Sequence, residues 1–351
     1  MQNEKLKPSL IIPIGLMLFS FFFGAGNLIF PPVLGQMAGE NIGWGMLGFC
    51  LSGVGFPLLG VLAVAMKKSD NPDAIAMPMH PLYARAVTVL CALAIGPLFA
   101  IPRTAAVSFD TGISALLPTA FDGFGLPLYS AFFFILTYFF SINPSKIIGN
   151  IGNFLSPMLL ICLAVLVVCV LVNPTGSLQM PNPEFTATPF FRGFQEGYNT
   201  MDLLAAILFG SITIKAIEAQ GITDKAVLTK LCSYAGLIAA FFLAIIYVAL
   251  AYTGALSINV FGIIPNGATL LSKICTYYMG FGGQIVLALI IFFACLTTSI
   301  GLTTAISGYF AELSNNRMQY QRLVLFISAF SLLVANFGLE NIIKFSIPVI
   351  C

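Results

Sequence analysis

The sequence predicts an all-α, polytopic membrane protein. Hydrophobic residues make up 59% of its 351 residues, charged residues make up 8%, and the mean hydropathy is +0.99. Soluble domains carry roughly 25% charged residues, so this composition indicates a chain that lies in a lipid bilayer. Uncharged apolar runs long enough to cross a membrane as a helix, roughly 20 residues, recur along the chain. A membrane β-barrel would instead use shorter alternating segments.

The positions of the charges divide the chain into nine complete spans and a fragment. We predict transmembrane helices over 10–38, 41–66, 86–118, 124–142, 147–172, 194–217, 231–256, 280–311 and 322–339, and the start of a tenth near Ile342. The first run is too long for a signal-peptide core and has no small-residue cleavage pattern, so it is expected to be retained. Residues 1–351 are expected to form a single integral membrane transporter domain.

The distribution of Lys and Arg predicts the orientation in the membrane, because cytoplasmic loops carry an excess of these residues. If the N-terminus is inside, most basic residues fall on cytoplasmic loops and only Arg192, Lys273 and Lys344 fall outside. We therefore predict a multi-pass protein of the cytoplasmic membrane with its N-terminus inside. The formal net charge of +2 gives no reason to expect a nucleic-acid partner.

Catalytic and metal-binding motifs are poorly represented. The eight cysteines include no CxxC pair, and the only histidine, His80, lies in a predicted cytoplasmic loop. The sequence has neither an HExxH zinc motif nor a G-x-S-x-G nucleophile motif. We predict that the chain is not an enzyme, needs no cofactor and holds no transition metal.

The first predicted span carries residues that weaken a helix. The stretch FFFGAGNLIFPP, residues 21–32, lies inside the uncharged run 10–38. Gly24 and Gly26 remove side-chain constraint, Asn27 offers local hydrogen bonds, and the prolines at 31 and 32 withhold backbone donors. Free backbone groups in a bilayer must be satisfied by protein, water or a ligand. We predict a broken helix; the alternative is a kink packed on a neighbour through small residues such as Gly35 and Gly39.

The sixth predicted span is weak in a similar way. Its apolar run, 203–214, has only twelve residues, and the polar stretch EGYNTMD, residues 196–202, precedes it. We predict a discontinuity around 197–202. Two interrupted helices that open two sets of five spans are typical of secondary transporters with inverted repeats, here about 10–172 and an incomplete 190–351. In that design, freed amides hold an anionic group and freed carbonyls coordinate a small cation.

Consecutive hydroxyls lie deep in the eighth predicted span. The stretch ACLTTSIG, residues 294–301, contains Thr297, Thr298 and Ser299. Hydroxyl and carbonyl oxygens are hard, neutral ligands that suit an alkali cation. The alternative is that these hydroxyls bond back to carbonyls of their own helix.

Four motifs together resemble those of a known family. FFGAGNLIFPP (22–32), GPLFAIPRT (96–104), GYNTMD (197–202) and ACLTTSIG (294–301) are similar to motifs of the BrnQ-type branched-chain amino acid:cation symporters, and the resemblance covers the whole chain. It implies uptake of leucine, isoleucine and valine across the cytoplasmic membrane of a bacterium, coupled to Na⁺ or H⁺. It also implies a LeuT-like fold with a five-plus-five inverted repeat and interrupted helices 1 and 6.

The resemblance implies two groups of site residues. The unwound first helix and the looser match in the sixth would bind the substrate through Gly24, Ala25, Gly26, Asn27, Thr200 and Asp202. The first-helix carbonyls and the eighth helix would bind the cation through Ser20, Phe23, Asn27, Ala294, Thr297 and Thr298. The Asn27 side chain therefore appears in both groups.

Arg103 and Asp110 are charged residues within the third predicted span. Charges at this depth are candidates for function, either in substrate or proton handling or in a structural network, for example Arg103 with Asp202. In a straight helix, seven residues separate Arg103 and Asp110 by roughly 10 Å, too far for a direct pair. Pro97 and Pro102 make a straight helix doubtful.

The ligand chemistry favours Na⁺ as the coupling ion, because the predicted cation site contains neutral oxygens and no carboxylate. Proton coupling through Asp110 or Asp202, and a membrane channel, are the alternatives. The family continues through two further helices, whereas this chain stops at Cys351, about two turns into the tenth span. A truncated, inactive form is therefore a further alternative.

Overall fold

A computed structural model describes residues 8–67, 71–117, 124–174, 176–315 and 317–339, together with Ile342. Every regular element in this part of the chain is a helix. Five helical stretches are long and apolar enough to cross a membrane, a sixth is a pair bent by 48°, and three shorter apolar helices accompany them. The structure thus confirms an all-helical polytopic membrane protein.

Among the described residues, fourteen α-helices follow one another. They are α1 (Pro8–Phe22), α2 (Ala25–Ala38), α3 (Ile42–Cys50), α4 (Phe56–Lys67), α5 (Pro81–Leu93), α6 (Ala100–Val107), α7 (Gly125–Ser141), α8 (Ser156–Val172), α9 (Pro183–Ala187), α10 (Pro189–Tyr198), α11 (Asp202–Glu218), α12 (Lys225–Phe261), α13 (Gly267–Leu313) and α14 (Tyr320–Ala335). Wider π-helical segments join several of them: Leu51–Gly55, Ala94–Leu98, Ser108–Ile113 and Ile148–Leu155.

Both predicted interruptions are confirmed. The first separates α1 from α2 at Phe23 and Gly24, where Gly24 is extended with φ −101° and ψ −170°. The prolines at 31 and 32 lie inside α2 and do not end it. The second separates α10 from α11, where Met201 adopts the left-handed conformation with φ 63°. A bulky residue in this region is strained by about 1–3 kcal/mol, which the surrounding packing must offset.

The region before the eighth predicted span departs from the sequence prediction. Residues 267–279, predicted to lie outside any helix, form the first part of α13, and the chain bends at Gly280 with φ 57° and ψ −136°. Asn266 starts this helix, since its side chain accepts hydrogen bonds from the N–H groups of Ala268 and Thr269. Apart from Ile342, the predicted tenth span lies outside the described residues.

Glycines allow two pairs of helices to pack backbone against backbone. A Cβ on Gly193 of α10 would lie 1.8 Å from the carbonyl oxygen of Gly45 in α3. Likewise, a Cβ on Gly35 of α2 would lie 1.8 Å from the carbonyl oxygen of Ala251 in α12. Small residues at such contacts are the usual means of close helix packing in membranes. These contacts fix α10 on α3 and α2 on α12. Of these helices, α2 is the half that follows the first break and α10 is the half that precedes the second.

Candidate functional site

The two helix breaks border one internal cavity of about 100 Å³. Its polar lining includes Gly24, Ala25, Gly26, Asn27, Arg103, Thr104, Thr200, Asp202 and Thr298. The rest is mostly apolar, with Ile95, Phe99, Val107, Phe209 and Leu302 among the contributors. Every residue predicted for substrate binding therefore lines the same cavity.

The N-terminal end of α2 points into this cavity. The first N–H groups of an α-helix have no acceptor within the helix, and here they belong to residues that line the cavity, Ala25 and Gly26. The Gly24 N–H lies 3.2 Å from Oδ1 of Asn27, which accepts its hydrogen bond. The amides and the positive end of the helix dipole suit an anionic group.

Asn27 connects the two broken helices to α12. Its Nδ2 donates to Oδ2 of Asp202, at 2.6 Å, and to the Tyr247 hydroxyl. The neutral side chains of Thr200 and Tyr247 also lie close to the Asp202 carboxylate, and the Thr200 hydroxyl donates to the Gly197 carbonyl oxygen at 2.8 Å. Asp202 begins α11, where a negative charge stabilises the helix end. All these partners of the carboxylate are neutral.

Tyr247 is a site residue that the sequence prediction missed. It is fully buried in α12, and its ring packs on those of Phe23 and Phe49. The sequence of α12 also contains Tyr234 and Tyr252, so nothing marks Tyr247 as more than a core residue. A buried tyrosine hydroxyl nevertheless requires a hydrogen-bond partner. That requirement was the only signal in the sequence that pointed toward a polar centre at this depth.

The Asn27 side chain lies in this network, and no described hydrogen bond joins it to the threonines of α13. Its Oδ1 accepts from Gly24, and both described bonds of Nδ2 go to Asp202 and Tyr247. Its predicted contact with a cation therefore stays a prediction. Its side chain lies beside Asp202, a predicted substrate-binding residue.

The hydroxyls of α13 meet the carbonyl end of α1. Thr297 Oγ1 lies 3.0 Å from the Ser20 carbonyl oxygen and 3.1 Å from that of Ala294. Thr298 Oγ1 lies 3.3 Å from the carbonyl oxygen of Phe21. Thr297 also donates back to the Phe293 carbonyl of its own helix, at 2.9 Å, as the alternative predicts. Its role as a cation ligand stays a prediction. The expected proximity of Thr297 and Thr298 to the end of α1 is confirmed.

The remaining members of the predicted cation group behave differently. Phe23 packs its ring between those of Phe19 and Tyr247, and no described hydrogen bond from the α13 hydroxyls reaches its carbonyl. Ser299 lies within 3.3 Å of Thr137 in α7 and so faces away from α1. The oxygens that lie closest together are therefore the carbonyl oxygens of Ser20 and Ala294 and the hydroxyl of Thr297.

Ser156 supports the end of α1 from the fifth span and was also missed. Its hydroxyl accepts from Ser20 Oγ at 2.7 Å and lies 2.9 Å from the Leu16 carbonyl oxygen and 2.8 Å from that of Ile151. It follows directly on the π-helical segment Ile148–Leu155. In the sequence, Ser156 is simply a serine that precedes a proline. Such a pair indicates local backbone geometry and gives no sign of a contact with a distant residue.

The two charges of the third span do not form a pair. Arg103 of α6 lines the cavity and is half-buried, whereas Asp110 is exposed in the π-helical segment Ser108–Ile113 and does not line it. Arg103 has no ion pair within 4 Å with any carboxylate of the described residues, Asp202 included. The idea of a direct Arg103–Asp202 contact is therefore wrong for this conformation, although the two residues share the cavity.

Two polar contacts lie at the end of the molecule that the sequence predicts to face the cytoplasm. Lys215 of α11 forms an ion pair with Glu312 of α13. The Tyr309 hydroxyl lies 3.0 Å from Oδ1 of Asp73, which is buried in the segment before α5. These contacts join α11 and the 71–80 segment to α13 below the cavity.

Comparison with known proteins agrees with this architecture. Residues 7–351 match the family described as "Branched-chain amino acid transport protein". The chain belongs to this family. This is a family of transport proteins, which confirms that the chain is not an enzyme.

Several relatives in this family come from different bacteria. The branched-chain amino acid permease BrnQ of Bacillus subtilis is 46% identical over 348 residues, which cover 99% of this chain and 79% of the relative. BrnQ of Escherichia coli K12 is 38% identical over 99% of this chain and 78% of its own length. The branched-chain amino acid transport system 2 carrier protein of Pseudomonas aeruginosa is 39% identical over 97% and 77%.

A solved structure supports the fold. The crystal structure of MhsT in complex with L-phenylalanine superposes with a TM-score of 0.60 at 16% sequence identity, over 95% of this chain and 80% of that one. At this identity the likeness concerns the fold alone. The chain is thus a branched-chain amino acid transport family member with the fold of MhsT, a LeuT-like neighbour.

Proposed function

We propose that this chain takes up leucine, isoleucine and valine across the cytoplasmic membrane of a bacterium, together with Na⁺, by alternating access. The observation that carries the proposal is the meeting of the two helix breaks at one cavity that joins free helix-end amides to a buried carboxylate. Family membership supplies the substrate class. The N-terminus would face the cytoplasm.

In the substrate site, each part of a branched-chain amino acid has a chemically suited partner. The amides of Ala25 and Gly26 suit the carboxylate, and Asp202 and Thr200 suit the ammonium group. The apolar lining, which includes Ile95 and Leu302, suits the branched side chain. Through its bonds to Gly24 and Asp202, Asn27 would fix the position of the carboxylate-binding amides relative to the ammonium-binding carboxylate.

In the cation site, Na⁺ would replace the hydrogen bonds that the Thr297 hydroxyl makes to neighbouring carbonyl oxygens. The carbonyl oxygens of Ser20 and Ala294 lie 3.0 and 3.1 Å from Thr297 Oγ1. If the hydroxyl proton turns away, all three oxygens can face a cation, with Thr298 and the Phe23 carbonyl as further candidates. Carbonyl and hydroxyl oxygens suit an alkali cation, and none of them has to lose a proton to bind it.

Alternating access would follow from an arrangement of two inverted repeats, about 10–172 and 190–351. Interrupted helices in equivalent positions of two repeats, with binding groups at the breaks, are the usual basis of such transport. The glycine contacts that fix α2 on α12 and α10 on α3 support movement of these half-helices as one body. The opposite halves, α1 and α11, would then move separately about the breaks.

Proton coupling is the second candidate, because one observation favours it. Asp202 is a buried titratable group whose described partners are all neutral. A carboxyl group in such surroundings can carry a proton between two states of a transporter. Na⁺ remains the primary proposal because the Ser20–Ala294–Thr297 oxygens form a second, separate polar cluster that proton coupling would leave without a role.

The test is radiolabelled leucine uptake by the full chain in proteoliposomes at fixed pH. An inward Na⁺ gradient should drive accumulation above the external concentration, and choline in place of Na⁺ should abolish it. Uptake that persists in choline and stops when the pH gradient is collapsed would favour proton coupling. Equilibration without accumulation under either gradient would favour a channel.

A matched pair of variants tests the cation site within the same assay. Thr297→Val keeps the side-chain shape and removes the ligand oxygen, and it should raise the Na⁺ concentration for half-maximal uptake by about tenfold or more, since hydrogen-bond or ligand losses of 1.4 kcal/mol have this effect. Thr303→Val is the control, because Thr303 is equally buried in α13 and its hydroxyl has no described partner. Equal responses of the two variants would remove Thr297 from the site.

A further inference from the structure

Arg103 is the basic side chain among the residues that line the cavity. It lies in α6 and lines the same cavity as Asp202 and the amides at the start of α2. Within the described part of the chain, no carboxylate lies within ion-pair distance of its guanidinium. The cavity therefore contains a basic and an acidic side chain that are not paired with each other.

The backbone before Arg103 is shaped in a way that directs it to this cavity. The π-helical segment Ala94–Leu98 is broken at Gly96, with φ −99° and ψ −127°, and α6 begins anew at Ala100. A Cβ on Gly96 would lie 2.6 Å from Cδ1 of Ile306, so α13 packs directly on the bend. The position of α6, and with it that of Arg103, is thus fixed by packing rather than by an ion pair.

An isolated charge at membrane depth is costly unless a partner compensates it. In most folds that partner is another side chain. Here, the described hydrogen-bond partner of the Asp202 side chain is the neutral amide of Asn27, and Arg103 has no described partner, so both side chains are available to a ligand. A molecule with one carboxylate and one ammonium group, a zwitterionic α-amino acid, would compensate both at once.

We propose that Arg103 is the carboxylate anchor of the substrate site. Its guanidinium would bind the α-carboxylate beside the amides of Ala25 and Gly26, while Asp202 binds the ammonium group. Arginine suits this role because its planar group presents paired donors that match a carboxylate. The inference rests on the proposed transport of amino acids, and it makes the zwitterion, rather than the apolar side chain alone, the recognised feature.

The proposal predicts how the site discriminates among leucine analogues. Leucinamide retains the ammonium group and the side chain but has no carboxylate, so it should compete poorly with leucine in the wild-type chain. Arg103→Gln removes the anchor and should weaken leucine binding on the order of 10- to 100-fold, the usual effect of losing a hydrogen bond to a charged group. Leucinamide binding should change little, so the preference for leucine should largely disappear.

The experiment measures displacement of radiolabelled leucine from the purified full chain in detergent, with leucine and leucinamide as competitors. Arg192→Gln is the control, because Arg192 forms an exposed ion pair with Glu184 away from the cavity; both of its competitor affinities should match the wild type. Arg103→Lys keeps the charge but not the paired donors. It should bind leucine more weakly than the wild type while keeping a preference over leucinamide, and it serves as the test if Arg103→Gln does not fold.

Three results would overturn the proposal. One is leucine binding by Arg103→Gln, or by Arg103→Lys if only that variant folds, that equals the wild type. Another is an equal loss of leucine and leucinamide binding, which would indicate a structural role. The third is a wild-type chain that binds leucine and leucinamide alike. Failure of the wild type to bind or take up leucine at all would instead contradict the proposed function.

Discussion

At the scale of single residues, two neighbouring glycines of the first break have different surroundings. A Cβ on Gly24 would lie 3.3 Å from Thr298 Oγ1 and 3.7 Å from Asn27 Oδ1. Gly24 therefore lies where the predicted cation and substrate groups meet. A Cβ on Gly26 would meet only the ring of Phe30, at 3.2 Å, and a longer side chain there would enter the cavity.

Gly26→Leu should consequently abolish leucine uptake while the protein still accumulates in the membrane. The added side chain would occupy the space that the substrate carboxylate needs beside the α2 amides. Gly43→Leu is the matched control, because a Cβ at Gly43 has no atom within 4 Å. Normal uptake by Gly26→Leu, measured at equal protein level, would mean that this break is only a packing kink.

Tyr247→Phe should weaken both the fold and the site. The change keeps the ring contacts with Phe23 and Phe49 but removes the hydroxyl that accepts from Asn27, which should cost about 1 kcal/mol of stability or more. We expect a lower Tm in detergent and weaker leucine binding. Tyr252→Phe, in the exposed face of the same helix, should leave both unchanged. Equal Tm values for both variants would argue against the network.

At the scale of helices, the predictions gave the positions of the breaks and the contact of the first break with Thr297 and Thr298, but not the other contacts of the breaks. Gly24, Gly26 and the polar stretch 196–202 weaken a helix locally, so their effect can be read from neighbouring residues. The left-handed Met201, the partner role of Tyr247 and the contact of Ser156 with Ser20 depend on residues distant in sequence. The helix over 267–279 was missed because its polar and glycine residues do not form a membrane-length apolar run.

The close packing of α10 on α3 gives a prediction at this scale. Gly193→Ala would place a methyl group against the Gly45 carbonyl and force the helices apart, at a cost of about 1–3 kcal/mol for overpacking. We expect a clear decrease in the Tm of the purified protein. Gly282→Ala in α13 has open space around it and should be neutral or slightly stabilising. A Tm for Gly193→Ala that matches this control would contradict the packing.

At the scale of the whole molecule, the Lys215–Glu312 and Asp73–Tyr309 contacts join α13 to α11 and to the segment before α5 at one end. We expect them to keep the cavity closed at that end. Opening of the cavity toward that end requires α11 or α1 to move away from α13. The sequence predicts that this end faces the cytoplasm, from the distribution of Lys and Arg alone. The contacts themselves could not be predicted, because each joins residues nearly a hundred or more positions apart.

Glu312→Gln should therefore favour the open form at this end. A partly exposed ion pair contributes about 0.5–1 kcal/mol, so the open population should rise roughly two- to fivefold. Hydrogen exchange of the α1 and α11 backbones should become correspondingly faster. Glu184→Gln, which removes the exposed Arg192 ion pair, is the control and should leave exchange in these helices unchanged. Identical exchange in both variants would exclude the pair as a closing contact.

The bonds of Asn27 also determine the order in which the protein can be completed during synthesis. Asn27 leaves the ribosome well before its partners Asp202 and Tyr247, which follow 175 and 220 residues later. Its amide must therefore wait in the translocon or the bilayer, with temporary partners, until the seventh span has been inserted. A nascent chain arrested before residue 247 would hold both Asn27 and Asp202 without the tyrosine hydroxyl, and should be a preferred target for membrane quality-control proteases. The polar centre can thus be completed only long after its first member, Asn27, has been synthesised.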